Sequence, residues 1–308
     1  MWLLTRTAFS AALVAALVAT LVFAMLRMAP GDPVDLILGD TPQANGADAT
    51  ARAELRHRLN LDEPTPQALV HFFSRALRGD LGQSLVKSRS VSALIAERLP
   101  FTALLALSAC LLANLFALPA GMLATLMPKR GNPALIASAV LTQSLPAFWL
   151  GPLLVAAFSL RWPWRPVSGA GTVAHLALPT ITLAAALFGP LARCTGEALS
   201  QTLASDYVRA ARAKGLSETA VVLRHALPNA LPPIAVVSAL QFANALGGAL
   251  ITETLFDWPG LGTLLMDALL ARDYPVVQGI VLVSGLSYVV INAATDALAE
   301  RFTPGGAP

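Results

Sequence analysis

The chain has 308 residues, of which 56% are hydrophobic and 13% charged. Soluble domains carry roughly 25% charged residues, so this deficit, with a mean hydropathy of +0.64, excludes an ordinary soluble protein and points to an integral membrane protein. The 21 Lys and Arg against 18 Asp and Glu leave a net charge of only +3, an excess that basic cytoplasmic loops explain and that gives no reason to expect nucleic acid as a partner.

A spanning helix needs about 20 mostly apolar residues. Segments near 7–28, 100–126, 133–160, 174–195, 230–252 and 277–299 meet that requirement. The expected fold class is therefore an all-α membrane protein with about six transmembrane helices. A single transmembrane domain over 1–308 is expected, with an extracytoplasmic loop at 29–98 and a cytoplasmic loop at 196–229.

The first apolar run begins after Arg6 and reaches Leu26. It exceeds the roughly 7–15 residues of a secretory signal core, and no small-x-small cleavage site follows, so it reads as an uncleaved first helix. The loop after it opens with Pro30-Gly31-Asp32-Pro33, a turn signature. Two helical stretches follow, Ala51 to Leu59 and Pro66 to Leu77. The second places Leu69, Val70, Phe73, Ala76 and Leu77 at helical spacing. The expectation is a small extracytoplasmic cap on the helix bundle.

Pro146 and Pro152 interrupt the third apolar segment, and Pro179 and Pro190 the fourth. Neighbouring helices absorb such breaks inside a bundle. Arg6, Lys129, Arg130, the basic residues between 193 and 228, and Arg301 all fall on one side of the membrane. By the positive-inside rule that side is the cytoplasm, with both termini there. Arg161 and Arg165 fall on the other side, flanked by Trp162 and Trp164, which suit an interfacial belt. The segment 253–276 is too polar and too rich in Gly and Pro to span, and is expected to fold back at the outer surface. Cys110 and Cys194 lie in apolar patterns without metal-ligand spacing and read as free, packed thiols.

The loop at 203–228 is polar and basic between long apolar helices. Leu203, Tyr207, Ala210, Ala211 and Leu216 allow a short helix with a small-residue face. Gly215 after Lys214 suits a left-handed helix terminator. Ser217 caps a second helix, with Glu218 in its first turn. Pro228 marks entry to the next span. Two helices joined by a glycine make a rigid protruding knob, and small residues at 210 and 211 are expected to let another surface approach closely.

This loop resembles the coupling loop of ABC-importer permeases, whose pattern is Glu-Ala-Ala-x-x-x-Gly followed by Ile-x-Leu-Pro. Ala210, Ala211, Gly215, Leu227 and Pro228 match, while Arg209 stands in place of the Glu and His225 in place of the Ile. Asp206-Tyr-Val-Arg209, Gly79-Asp-Leu-Gly-x-Ser84, Leu250-Ile-Thr-Glu-Thr254, Trp258-Pro-Gly-Leu-Gly262 and Arg272-Asp-Tyr-Pro-Val-Val-Gln-Gly279 extend the likeness. They resemble, in order, the dipeptide/oligopeptide/nickel branch, and within it the first of two permease subunits. The resemblance implies the type I importer permease fold. It implies a coupling role for Arg209, Ala210, Ala211, Gly215, Leu227 and Pro228. It implies a second homologous permease, two ATPase subunits carrying ATP and magnesium, and an extracytoplasmic solute-binding protein. Small peptides are the implied solute, with nickel the alternative.

The chain itself has no Gly-x-x-x-x-Gly-Lys-Ser/Thr loop to cradle ATP phosphates. It also lacks a series of mid-helix carboxylates of the kind that ion-coupled carriers use. His57, His71, His175 and His225 are not placed to pair with a Ser nucleophile, since Val167-Ser-Gly169 and Val283-Ser-Gly285 are only partial motifs. No catalytic residue, metal site or cofactor bound by this chain is expected. Polar residues inside the spans, Asn114, Gln143, Ser144, Gln241 and Asn244, are candidates to line a solute path, with Gln241 and Asn244 sharing one helix face. Amides also hold helices together in lipid.

Overall fold

The computed structural model describes residues 65–126, 147–161 and 166–302, with isolated helical positions between 13 and 24 and at 53. Its continuous helices are α1 (Thr65–Ala76), α2 (Val91–Leu126), α3 (Ala147–Val155), α4 (Val173–Leu203), α5 (Asp206–Ala213), α6 (Glu218–Val221), α7 (Leu227–Leu255), α8 (Leu261–Leu270) and α9 (Tyr274–Phe302). A π-turn at Ala156–Arg161 extends α3, and another at Val222–Ala226 joins α6 to α7. Among the described residues four helices are long and apolar enough to cross a membrane: Val91–Leu126, Val173–Leu203, Glu218–Leu255 and Tyr274–Ala297. Most of the expected span at 7–28 lies outside the described residues, as do residues 133–146 with Gln143 and Ser144, and most of the stretch from Ala51 to Leu59. Of the expected third span, the described part is the shorter apolar helix Phe148–Arg161.

Internal prolines shape these helices without ending them. Pro100 and Pro119 lie inside α2, which begins at Val91 rather than near 100. Pro228 has no N–H, and its ring crowds the carbonyl one turn back. The turn ahead of it is widened, so that the Leu227 N–H reaches the Val222 carbonyl five residues earlier. This lets one helix run unbroken from Glu218 to Leu255.

The chain divides into two compact units. The first comprises Met1–Ala8, Pro100–Thr263 and Ser287–Pro308. Its core joins Leu105, Ala109, Ala113 and Ala117 of α2, Leu183, Leu187 and Leu191 of α4, and Ala245 and Ala249 of α7. Small side chains let these backbones approach, which is how helices gain contact where lipid offers no hydrophobic drive. At Gly121 the approach is tight: a β-carbon there would lie 2.5 Å from the Ala192 carbonyl oxygen and 2.6 Å from Thr195 Cβ on α4. Beside it the Thr125 hydroxyl donates to the carbonyls of Gly121 at 2.9 Å and Gly196 at 3.2 Å.

The second unit comprises Phe9–Leu99 and Leu264–Leu286. Here α1 packs through Ala68 and Phe72 against Phe23 and Leu282. Its buried stripe is rotated from the expected one: Leu69, Phe73 and Ala76 are half-buried, but Val70 and Leu77 are exposed. A tight turn follows, closed by a bridge between Gln83 and Ser90. Asp273, 3% exposed, holds that turn. Its carboxylate accepts from the Ser84 hydroxyl at 2.5 Å and from the Leu85 N–H at 3.1 Å.

Candidate functional site: a capped glycine elbow and the helix it drives

The elbow is built from local rules. Ser205 precedes α5 in extended conformation, with Asp206 in the first turn facing the helix dipole. At the other end Lys214 N–H reaches the Ala210 carbonyl at 3.1 Å, and Gly215 N–H the Arg212 carbonyl at 2.9 Å. Gly215 then takes φ +81°, the left-handed conformation that terminates the helix. A β-carbon at this site would meet nothing within 4 Å, so the glycine serves backbone geometry rather than room. Ser217 Oγ accepts from the Ala220 N–H at 3.4 Å and opens α6.

Two contacts fold the helices together. Val208, Ala211 and Val221 are buried against one another, with Leu203 beside them. Across the elbow the Arg212 guanidinium donates to both Glu218 oxygens, at 2.7 and 3.2 Å. The hydrogen bond to Glu218 raises the Arg212 guanidinium above its ordinary value. Both groups are exposed ahead of the apolar part of the helix, so solvent screens the pair and its contribution is small.

The matched residues therefore divide. Ala210 and Gly215 are exposed on the knob, and Arg209 pairs with Asp206 on its surface. Ala211 is 6% exposed and packs with Val208 and Val221, where its small size lets α6 close onto α5. Leu227 is half-buried and Pro228 exposed at the start of α7. Tyr207, Leu216 and Leu223 are exposed large side chains on this otherwise polar projection, the kind of surface that marks a protein contact.

Along α7 the Asn244 amide donates to Gln241 Oε1 at 3.0 Å, and Asn244, Gly247 and Gly248 are exposed. Nothing would touch a β-carbon at either glycine. This leaves one open polar face on a helix otherwise apolar enough to span. Asn114 is placed differently. Its Oδ1 accepts from the Ser238 hydroxyl at 2.7 Å and its Nδ2 donates to the Cys110 carbonyl at 2.8 Å, so it ties α2 to α7.

One buried group was not singled out by the sequence reading. Glu253, expected to begin the fold-back, lies inside α7 and is 0% exposed. The Gly262 N–H donates to its Oε2 at 2.6 Å. A β-carbon at Gly260 would overlap its carboxylate, and one at Gly262 would sit 2.7 Å from Oε2. The signal was present as a carboxylate in the last turn of an apolar helix, followed by the glycines of Trp258-Pro-Gly-Leu-Gly262. Among the described residues no group of three or more His, Cys, Asp or Glu could hold a metal ion.

Long apolar helices packed through small residues, with a structured polar knob at one end, define an all-α membrane permease. Residues 117–305 match the family described as Binding-protein-dependent transport system inner membrane component. Over 289 residues, 94% of this chain and 93% of the relative, the chain is 41% identical to the Glutathione transport system permease protein GsiC of Escherichia coli strain K12. It is 42% identical over the same spans to the protein of that name from Salmonella typhimurium strain LT2. The chain belongs to the family of binding-protein-dependent transport system inner-membrane components, within the dipeptide/oligopeptide branch of ABC-importer permeases. It is thus a transport permease with the type I importer fold, and membership of this family implies binding-protein and ATPase partners.

Proposed function

We propose that this chain is the first of two homologous permease subunits of an inner-membrane importer for small peptides of the size of glutathione. The relatives' printed function supports the solute class, with dipeptides as close analogues and nickel the alternative within the branch. Both termini and the elbow face the cytoplasm, as the distribution of Lys and Arg argues. Two ATPase subunits, which bind the ATP and magnesium, dock beneath, and the solute-binding protein delivers from outside. The observation that carries the coupling role is the Gly215 elbow: a left-handed glycine between two packed helices, projecting Tyr207, Ala210 and Leu216.

The cycle follows from the covalent path. Closure of the ATPases displaces the knob formed by 203–228, α7 is carried with it, and the helices alternate access to a path between the two permeases. Gln241 and Asn244 face that path. The solute is moved without covalent change.

Uptake of labelled glutathione, a labelled dipeptide and nickel by a strain lacking this gene tests the reading. Loss of peptide uptake is expected, restored by the wild type and not by Gly215→Val. Loss of nickel uptake alone would move the solute to the alternative while keeping the mechanism. Full restoration by Gly215→Val would remove the elbow from the mechanism.

A further inference from the structure

We propose that Glu253 is a positioning residue for transport, whose buried carboxylate clamps the far end of α7 so that displacement of the elbow makes this helix pivot. The proposal rests on the reading of 203–228 as the coupling elbow.

The continuous helix Glu218–Leu255 has 38 residues, a length of about 57 Å at 1.5 Å per residue. It is gripped at its start by α5, through Val208, Ala211 and Val221. At its other end the chain reverses through residues 256–262, and the ties in that turn lead to α7, to α2 and to the segment ahead of α4. Gly262 N–H donates to Glu253 Oε2 at 2.6 Å, and Trp258 N–H to the Glu253 carbonyl at 2.8 Å. Trp258 Nε1 donates to the Phe101 carbonyl of α2 at 3.0 Å, and Leu261 N–H to the Thr102 hydroxyl at 2.8 Å. The Phe101 and Trp258 rings meet edge to face, with centroids 5.9 Å apart. Gly169 N–H, ahead of α4, donates to the Phe256 carbonyl at 3.0 Å. Asp257 takes φ +50°, the left-handed conformation that Asp adopts more readily than most residues, and it reverses the chain there.

Glu253 joins this tied turn to α7. Burying a carboxylate is costly unless hydrogen bonds compensate, and the glycines at 260 and 262 leave the space that it occupies. A helix pushed at one end and loose at the other can slide in its groove. With its far end fixed to α2, it swings about that end, and the face bearing Gln241 and Asn244 moves with it. Without the clamp, slippage of the turn absorbs the displacement, and ATP is hydrolysed without passage of solute.

The test is the amount of labelled glutathione taken up per ATP hydrolysed by the complete importer in proteoliposomes, or of labelled dipeptide should the uptake assay select it. For Glu253→Ala a fall of about tenfold or more in this ratio is expected, with hydrolysis still stimulated by the binding protein. Glu253→Gln keeps an oxygen for the Gly262 N–H and should stay within about threefold of wild type. The double variant Glu253→Ala with Gly260→Ala returns a methyl group to the vacated space, and decides the matter if the single variant fails to assemble. Its ratio should remain low. A wild-type ratio in the double variant, or in Glu253→Ala itself, overturns the proposal. Gly215→Val in the same assay separates the two readings: normal coupling there discards the elbow, whatever Glu253 does.

Discussion

At the scale of single residues, the side chains that matter are set by backbone need. Gly215 has open space around it, so the penalty for replacing it is conformational. Holding a non-glycine residue at φ +81° costs about 1–2 kcal/mol, and more for a β-branched one. Asparagine tolerates this region best among the others. Uptake should therefore fall in the order Gly215, Gly215→Asn, Gly215→Val, with membrane insertion near normal in all three; equal uptake would show that the elbow's geometry is dispensable. Asp273 is a second such case. Asp273→Ala leaves the Ser84 hydroxyl and Leu85 N–H without their acceptor, at a local cost of about 1–3 kcal/mol. Tryptic cleavage after Lys87 or Arg89 should accelerate about tenfold in membranes, as a loss near 1.4 kcal/mol of local stability requires when cleavage follows local opening.

At the scale of elements, α7 presents two different faces. One carries Ala245 and Ala249 into the core, and the other leaves Gln241, Asn244 and Gly248 open. Gln241→Leu with Asn244→Leu should lower uptake about tenfold while the ATPase subunits still co-purify, the pattern of a lost interaction with solute rather than lost assembly. Asn114→Ala should behave in the opposite way. It removes the tie to Ser238, worth about 0.6–2 kcal/mol in a membrane protein, and its effect should appear in thermal stability in detergent before it appears in transport. The sequence was informative about these elements where one local rule governs. Gly215 and Ser217 announce a terminator and a cap, and Thr65–Ala76 an amphipathic helix. It was silent where partners lie far along the chain. Nothing local to Ala211 says that it packs on Val221, nor to Asn114 that its partner is Ser238. Glu253 was read as the start of a loop because helix periodicity fades where Gly and Pro begin.

At the scale of the whole molecule, the question is which end of the bundle faces which compartment. Composition could identify a membrane protein, and loop charges could propose an orientation, because both are sums over many residues. Cysteine placed at Ser217 should react with an impermeant maleimide only from the cytoplasmic side, and cysteine at Val86 only from outside. Labelling with the sides exchanged would invert the topology and remove the elbow from reach of the ATPases. Such a result would also separate membership of the family, which rests on the matched sequence, from the assignment of ends, which rests on charge.

The widened turn at Val222–Ala226 has a consequence for phase. Each residue of a helix advances it by about 100°, and this turn holds one residue more than a regular turn would. The widened turn absorbs that residue, so the azimuth at which Gln241 and Asn244 emerge, measured from the elbow, stays near that of a regular helix one residue shorter. Deleting Leu223 would let the helix become regular with Gln241 and Asn244 near the same azimuth, whereas a deletion in a regular part of α7 ahead of them would rotate them by about 100°. The Pro228 ring and the single additional residue ahead of it act as a keyway, fixing where along the circumference the distant amides appear.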